Sequence, residues 1–327
     1  MTDKIHVSSA PHIRCDVTTE RIMQDVVIAL LPCGICGIYL FGLKALWVMV
    51  ASVITCMLTE FVFQKAMKRP VTVTDGSAVV TGLLLAYCLP STVPLYVPIL
   101  GGIFAILVVK QLFGGIGQNI MNPALAARCF LFISFTQEMT KYIPIHTEQT
   151  QKAVDMVSSA TPLLQMEKQE AVDLWSMFLG NHAGCIGETS VAAVLLGAAY
   201  LFFRRVITWH IPVAYLASTA AFCAVFAAIK GVVPADMGML TYLAAQLCGG
   251  GLMLGAFFMA TDYVTCPITN GGRLVYGLFL GFLTAAFRIL GKMPEGVSFA
   301  IITANLLVPL IEKITMPRAF GKGGGRL

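Results

Sequence analysis

Long apolar stretches separated by short polar connections dominate the chain. Ten of them run over about residues 22–41, 44–64, 76–90, 95–113, 121–136, 189–203, 211–230, 239–260, 273–291 and 297–314. One helical crossing of a bilayer core uses about 20 apolar residues, so the pattern predicts an all-α polytopic membrane protein of about ten transmembrane helices. Segments three, five and six are short. Short or Gly/Pro-interrupted spans mark either broken helices near a functional centre or helices shielded by longer neighbours.

Composition agrees. Of 327 residues, 57% are hydrophobic and 12% charged, against roughly 45–50% and about 25% in soluble domains. A soluble globule, a disordered chain and a nucleic-acid binder are all poor fits. The ten cysteines are scattered and mostly apolar in context, which argues against a disulfide framework. The first 20 residues are polar and contain Pro11, and the apolar run after them lacks a small-residue cleavage site, so no cleaved signal peptide is expected.

Charge sets the expected orientation. With the N-terminus in the cytoplasm and ten alternating spans, fourteen Lys and Arg fall on the cytoplasmic side and six outside, with Arg128 and Arg288 inside apolar segments. That bias follows the positive-inside rule and places both termini in the cytoplasm. The division expected is a tail at 1–21, a five-helix repeat at 22–136, an extracytoplasmic loop at 137–188, a second five-helix repeat at 189–314 and a tail at 315–327. An odd number of spans per half makes the second repeat inverted relative to the first, a common way to build a membrane pathway. Gly82–Pro94 and Gly255–Pro267 share a faint pattern: glycine, apolar run, polar break, proline.

Three regions carry candidate chemistry. In the outer loop, Asp155-Met-Val-Ser158-Ser-Ala160-Thr161 ends at Pro162. The following proline holds Thr161 extended and out of a helix, which should leave its hydroxyl accessible. Near the loop's end, Trp175, Phe178 and Leu179 form an amphipathic segment suited to the membrane interface. Between segments four and five, the glycines of 114–117 permit close backbone approach. Asn119 and Asn122 offer donors and acceptors, although Asn122 before Pro123 is first of all a helix cap. Arg128 and Asp262 are candidates for cofactor or ion-path contacts, because ionisable groups in spans are costly. Glu60 is expected at the interface, His182 as an ordinary polar loop residue, and Cys33-x-x-Cys36 as part of a small-residue helix interior.

The loop string resembles the Asp-x-x-Ser/Thr-x-Ala-Thr sequon of the periplasmic flavin transferase, which moves FMN from FAD onto the threonine hydroxyl. Met156 stands where the sequon usually has glycine. Together with the segments at 75–90, 114–128, 158–162 and 260–277, the chain is similar over nearly its whole length to the RnfD/NqrB family of membrane subunits. The resemblance implies membership of a six-component complex (RnfA, RnfB, RnfC, RnfD, RnfE and RnfG) in a bacterial inner membrane. Such a complex passes electrons between ferredoxin and NAD and couples this to Na⁺ or H⁺ translocation. It implies covalent FMN at Thr161, with Asp155, Ser158 and Ala160 as recognition residues, and a noncovalent riboflavin near Asn119 and Asn122. The chain alone would have no turnover. Two alternatives stay open: a small-solute channel of the urea or ammonia kind without a redox cofactor, and an NqrB-type component of a quinone reductase.

Overall fold

The computed structural model describes residues 18–142, 161–234, 237–291, 293 and 296–317. The described residues are helical throughout, without strands. In chain order the elements are α1 (Thr19–Phe41), α2 (Leu43–Ala66), α3 (Ser77–Tyr87), α4 (Tyr96–Gln111), α5 (Pro123–Ser134), α6 (Thr136–Met139), α7 (Pro162–Glu167) and α8 (Leu174–Leu179). They continue with α9 (Val191–Phe203), α10 (His210–Lys230), α11 (Met239–Cys248), α12 (Leu252–Met259), α13 (Asn270–Leu290) and α14 (Val297–Thr315). Each of the ten apolar stretches forms helix.

Helix formation and membrane crossing are different matters. Five helices, α1, α2, α10, α13 and α14, are long and apolar enough to cross a membrane. The pair α11 and α12 makes a sixth candidate, bent by 61° at its break. At 1.5 Å per residue, the 11 residues of α3 reach only about 17 Å of the roughly 30 Å core. The 12 residues of α5 and 13 of α9 are also short.

Segment eight departs from the continuous helix its hydropathy predicts. Gly250 and Gly251 adopt positive φ, at 63° and 68°, which stops α11 and starts α12 in a new direction. A side chain at Gly251 would overlap Glu188 Oε2 at 1.9 Å, so the carboxylate packs directly on the break.

Small residues bring the helices together, as is usual where lipid removes the hydrophobic drive for association. A Cβ at Gly82 would lie 2.7 Å from the Val53 backbone, and Ser52 Oγ donates to the Gly82 carbonyl (2.8 Å), locking α3 to α2. Gly277 and Gly281, four apart on α13, face the α10 backbone at Tyr215 and Thr219. Helix α1 packs on α9 and α5 on α14, so the two halves interlock. Asp25 of α1 accepts a forked pair of bonds from Arg204 and one from the Tyr200 hydroxyl (3.0–3.2 Å), tying the same two helices at one end.

Between α6 and α9 the described part of the loop folds into two short helices. Asp173 caps α8 through bonds from the Trp175 and Ser176 amides, and bonds from Ser176 and these amides hold its carboxyl below the usual carboxylate range. Trp175 and Leu179 are exposed, and Trp175 stacks on Phe178, while Met177 is buried. That gives α8 the apolar outer face expected of an interfacial segment.

Candidate functional site

Asn119, Asn122 and Asp262 converge on one cavity of about 110 Å³, which Ser77 and Lys110 also line. Asn122 is the N-cap of α5: its Oδ1 accepts from the Ala124 and Leu125 amides (3.0 and 3.4 Å), with Pro123 at the first helical position. Its Nδ2 donates to the Met259 carbonyl (3.4 Å), fastening α5 to the end of α12. Asn119 Nδ2 donates to the Met121 carbonyl (3.1 Å) and shapes its own loop. The Asp262 carboxyl accepts from Val264 N and Thr265 Oγ1 (3.5 and 3.2 Å). Burial pushes it above the usual carboxylate value, and these bonds oppose the rise.

The cavity borders a charge network that sequence reading missed. Glu60, expected at the interface, is enclosed by protein: it is 1% exposed and paired with Lys110, 50 residues away, whose Nζ lies 2.9 Å from both carboxylate oxygens. Gln111 Nε2 (2.7 Å) and Gln64 Nε2 (3.3 Å) also donate to Glu60. Lys110 donates further to Ser77 Oγ (2.6 Å), which in turn donates to Asp75 (2.6 Å). Lys110 and Gln111 lie in a π-helical stretch at the end of α4, Phe104–Gln111. Such wide turns reset side-chain direction and recur at functional sites. A cluster this satisfied can hold two charges in an apolar setting.

Arg128 is not part of that cavity. Its guanidinium donates to Ser298 Oγ (2.6 Å) and Cys185 Sγ (3.8 Å) and lies 3.8 Å from Glu188. It therefore joins α5, α14 and the loop before α9. Glu188 in turn sits on the α11–α12 break, so Arg128 reaches the break indirectly.

The other side of the break belongs to Arg288, in the π-helical end of α13, Ala286–Leu290. Its Nη1 donates to the carbonyl and Oε1 of Gln246, and its Nη2 to the carbonyls of Gly249 (2.8 Å) and Gly250 (3.4 Å). These are the orphan carbonyls at the end of α11, where a cation also suits the helix dipole. Its buried Nε has no hydrogen-bond partner. Among the described residues no carboxylate lies within ion-pair distance of Arg288.

Thr161 stands next to this second centre. It is the N-cap residue of α7, extended as the Thr-Pro step predicts (φ −66°, ψ 154°), with Pro162 at the first position. Its side chain does not cap the helix, and it is 8% exposed, so the accessible hydroxyl expected from sequence is instead packed in. Asp155, Ser158 and Ala160 lie outside the described residues. Leu163 and Met166 of α7 line a cavity of about 270 Å³ with Lys230, Tyr242, Gln246 and Arg288.

Two smaller expectations meet different outcomes. Cys33 and Cys36 are free thiols within α1. His182 is more than a polar loop residue: its Nδ1 is enclosed without a partner, and burial pulls its pKa down to about 4.

A helical membrane protein with polar groups gathered at short and broken helices is the class these features define. The chain belongs to the NQR2, RnfD, RnfE family, whose model matches residues 6–321. It is 44% identical to the D subunit of the Na⁺-translocating ferredoxin:NAD⁺ oxidoreductase complex of Acetobacterium woodii, covering 96% of this chain and 95% of that one. It is 38% identical to the D subunit of the proton-translocating ferredoxin:NAD⁺ oxidoreductase complex of Clostridium ljungdahlii, over 96% of each. The D subunit of an ion-translocating oxidoreductase complex of Erwinia tasmaniensis is 36% identical, over 98% of this chain and 99% of that one.

Proposed function

We propose that this chain is the flavin-carrying D subunit of an Rnf-type complex, which couples electron transfer between ferredoxin and NAD to Na⁺ or H⁺ translocation. The observation that carries the proposal is the family match across 6–321, together with near-complete coverage of relatives named as the D subunits of such complexes. Neither alternative gains a specific observation: those relatives are named neither as solute channels nor as quinone reductases. The protein acts with RnfA, RnfB, RnfC, RnfE and RnfG and has no turnover alone.

Thr161 is proposed to carry FMN as a phosphoester, added by the flavin transferase through recognition of Asp155, Ser158 and Ala160. A flavin accepts one or two electrons, and the protein supplies its position and electrostatics. Three features of this chain fit the group. Thr161 is extended ahead of Pro162, Leu163 and Met166 lead from it to a cavity, and Arg288 Nε is buried without a partner. Because the Thr161 side chain is packed in, modification requires α7 to lift or to dock after the flavin is attached.

A noncovalent riboflavin at Asn119 and Asn122 is proposed on narrower grounds. The donors and acceptors suit a flavin edge, but 110 Å³ is well below the roughly 300–1,000 Å³ of ligand pockets. The Gly114–Gly117 loop must open for it to enter. Arg128 and Asp262 are proposed to support these sites from α5 and from the end of α12. The topology proposed is ten spans in two inverted repeats, 22–136 and 189–314, in the bacterial inner membrane. Both termini lie in the cytoplasm and 137–188 outside.

Flavin fluorescence of the denatured chain in a gel tests the central assignment, after co-expression with the flavin transferase. The wild-type band should fluoresce and the Thr161→Ala band should be dark. A dark wild-type band beside a fluorescent control substrate of the same transferase would sink the assignment.

A further inference from the structure

Burying a guanidinium is costly unless something opposite in charge balances it. Arg288 meets only part of that need. Its two terminal nitrogens hold the carbonyls of Gln246, Gly249 and Gly250, its Nε holds nothing, and no described carboxylate pairs with it. The Lys230 ammonium, at the end of α10, is a second cation at the same cavity and donates to the Ile289 carbonyl (3.2 Å). The cavity's remaining walls are mixed: Leu163, Met166, Val232 and Ile289 are apolar, Gln169, Tyr242 and Gln246 are polar, and the exposed Glu167 sets one carboxylate against the two cations. Walls that are part apolar and part polar, with two cations against one carboxylate, suit an amphipathic aromatic ring. Its 270 Å³ approaches the lower bound of ligand pockets, roughly 300 Å³. Leu163 is two residues beyond Thr161, about 3 Å along the helix axis.

Resting on the flavin reading of Thr161, we infer that the isoalloxazine ring docks in the cavity between α7, α11 and the end of α13, where Arg288 and Lys230 raise its reduction potential. The dimethylbenzene end lies against Leu163 and Met166, and the pyrimidine edge faces the cations. Two-electron reduction with uptake of one proton leaves the ring anionic. A nearby positive charge stabilises that anion over the neutral oxidised ring and so shifts the equilibrium toward the reduced form. The two cations then serve as positioning and tuning groups.

The test uses the full chain, purified after co-expression with the flavin transferase, with Thr161→Ala as the spectral baseline. Dithionite titration gives the midpoint potential of the covalent flavin. Arg288→Gln should shift the oxidised-to-reduced equilibrium about tenfold toward oxidised, equal to a fall of about 30 mV for a two-electron couple. Lys230→Met, at an exposed helix end, should shift it the same way by a smaller factor. Met166→Trp fills the cavity and should keep the covalent band while raising the native chain's flavin fluorescence toward that of free FMN. Fluorescent bands in every variant, with unchanged potentials in both charge variants and unchanged emission in Met166→Trp, overturn the inference and leave the Thr161 assignment standing. A dark wild-type band removes the assignment, and the inference falls with it.

Discussion

Lys110 and Arg288 occupy comparable places, yet their surroundings differ. Each is a buried cation in a π-helical stretch at the end of an apolar helix, α4 or α13. Lys110 meets Glu60 at 2.9 Å, and two glutamines and Ser77 complete the network. Arg288 meets the dipoles of a broken helix and keeps one N–H unspent. The first arrangement is electrically closed, and its role inside the fold needs nothing more. The second has no carboxylate within ion-pair distance among the described residues and leaves one N–H of its cation unbonded beside a cavity. Charge closure, and not burial, separates the two.

Removing one partner from the closed site should produce the largest effect. Glu60→Leu strands Lys110 and should cost about 3–5 kcal/mol, read as lost thermal stability in detergent. The double variant Glu60→Leu/Lys110→Met should recover most of it, since neither charge is then left alone. His182 sharpens the contrast because it escapes the cost of burial by staying neutral. Its folded pKa of about 4 is below the ordinary 6.5. The stability it supports is therefore complete above pH 6.5 and lost as pH falls toward 4, by on the order of 2–3 kcal/mol. A His182→Gln variant should flatten that part of the stability profile.

Arg288→Met should cost less than Glu60→Leu, up to about 2 kcal/mol, because it removes a cation from a helix C-terminus without stranding a counter-charge. An equal or larger loss would mean that Arg288 is as tightly paired as Lys110. Smallest is Asn122→Ala, which removes the α5 cap and should cost about 1 kcal/mol; covalent flavin at Thr161 should be unaffected.

Local signals were legible in the sequence and distant pairings were not. Hydropathy marked each apolar helix, the Asn-Pro step marked the α5 cap, and the Thr-Pro step marked the extended Thr161. Glu60 and Lys110 lie 50 residues apart, and no periodicity links them. Glu60 near the end of α2 shows no sign of its burial or its partner until α4 is packed against it. The break in segment eight did have a signal, since Gly249-Gly250-Gly251 interrupts an apolar run. Hydropathy averages over three glycines, so the run still read as one helix. Arg288 stood out as a charge in a span, but the carbonyls it holds exist only once the break has formed. The packing of Thr161 was invisible because it depends on α7 docking against α11.

Peptide mapping by mass spectrometry addresses the central claim most directly. The tryptic fragment 153–168 contains Ser158, Ser159 and Thr161, and fragmentation distinguishes among them. After co-expression with the flavin transferase, the fragment should carry one FMN, on Thr161. An unmodified fragment, or FMN on a serine, would contradict the account.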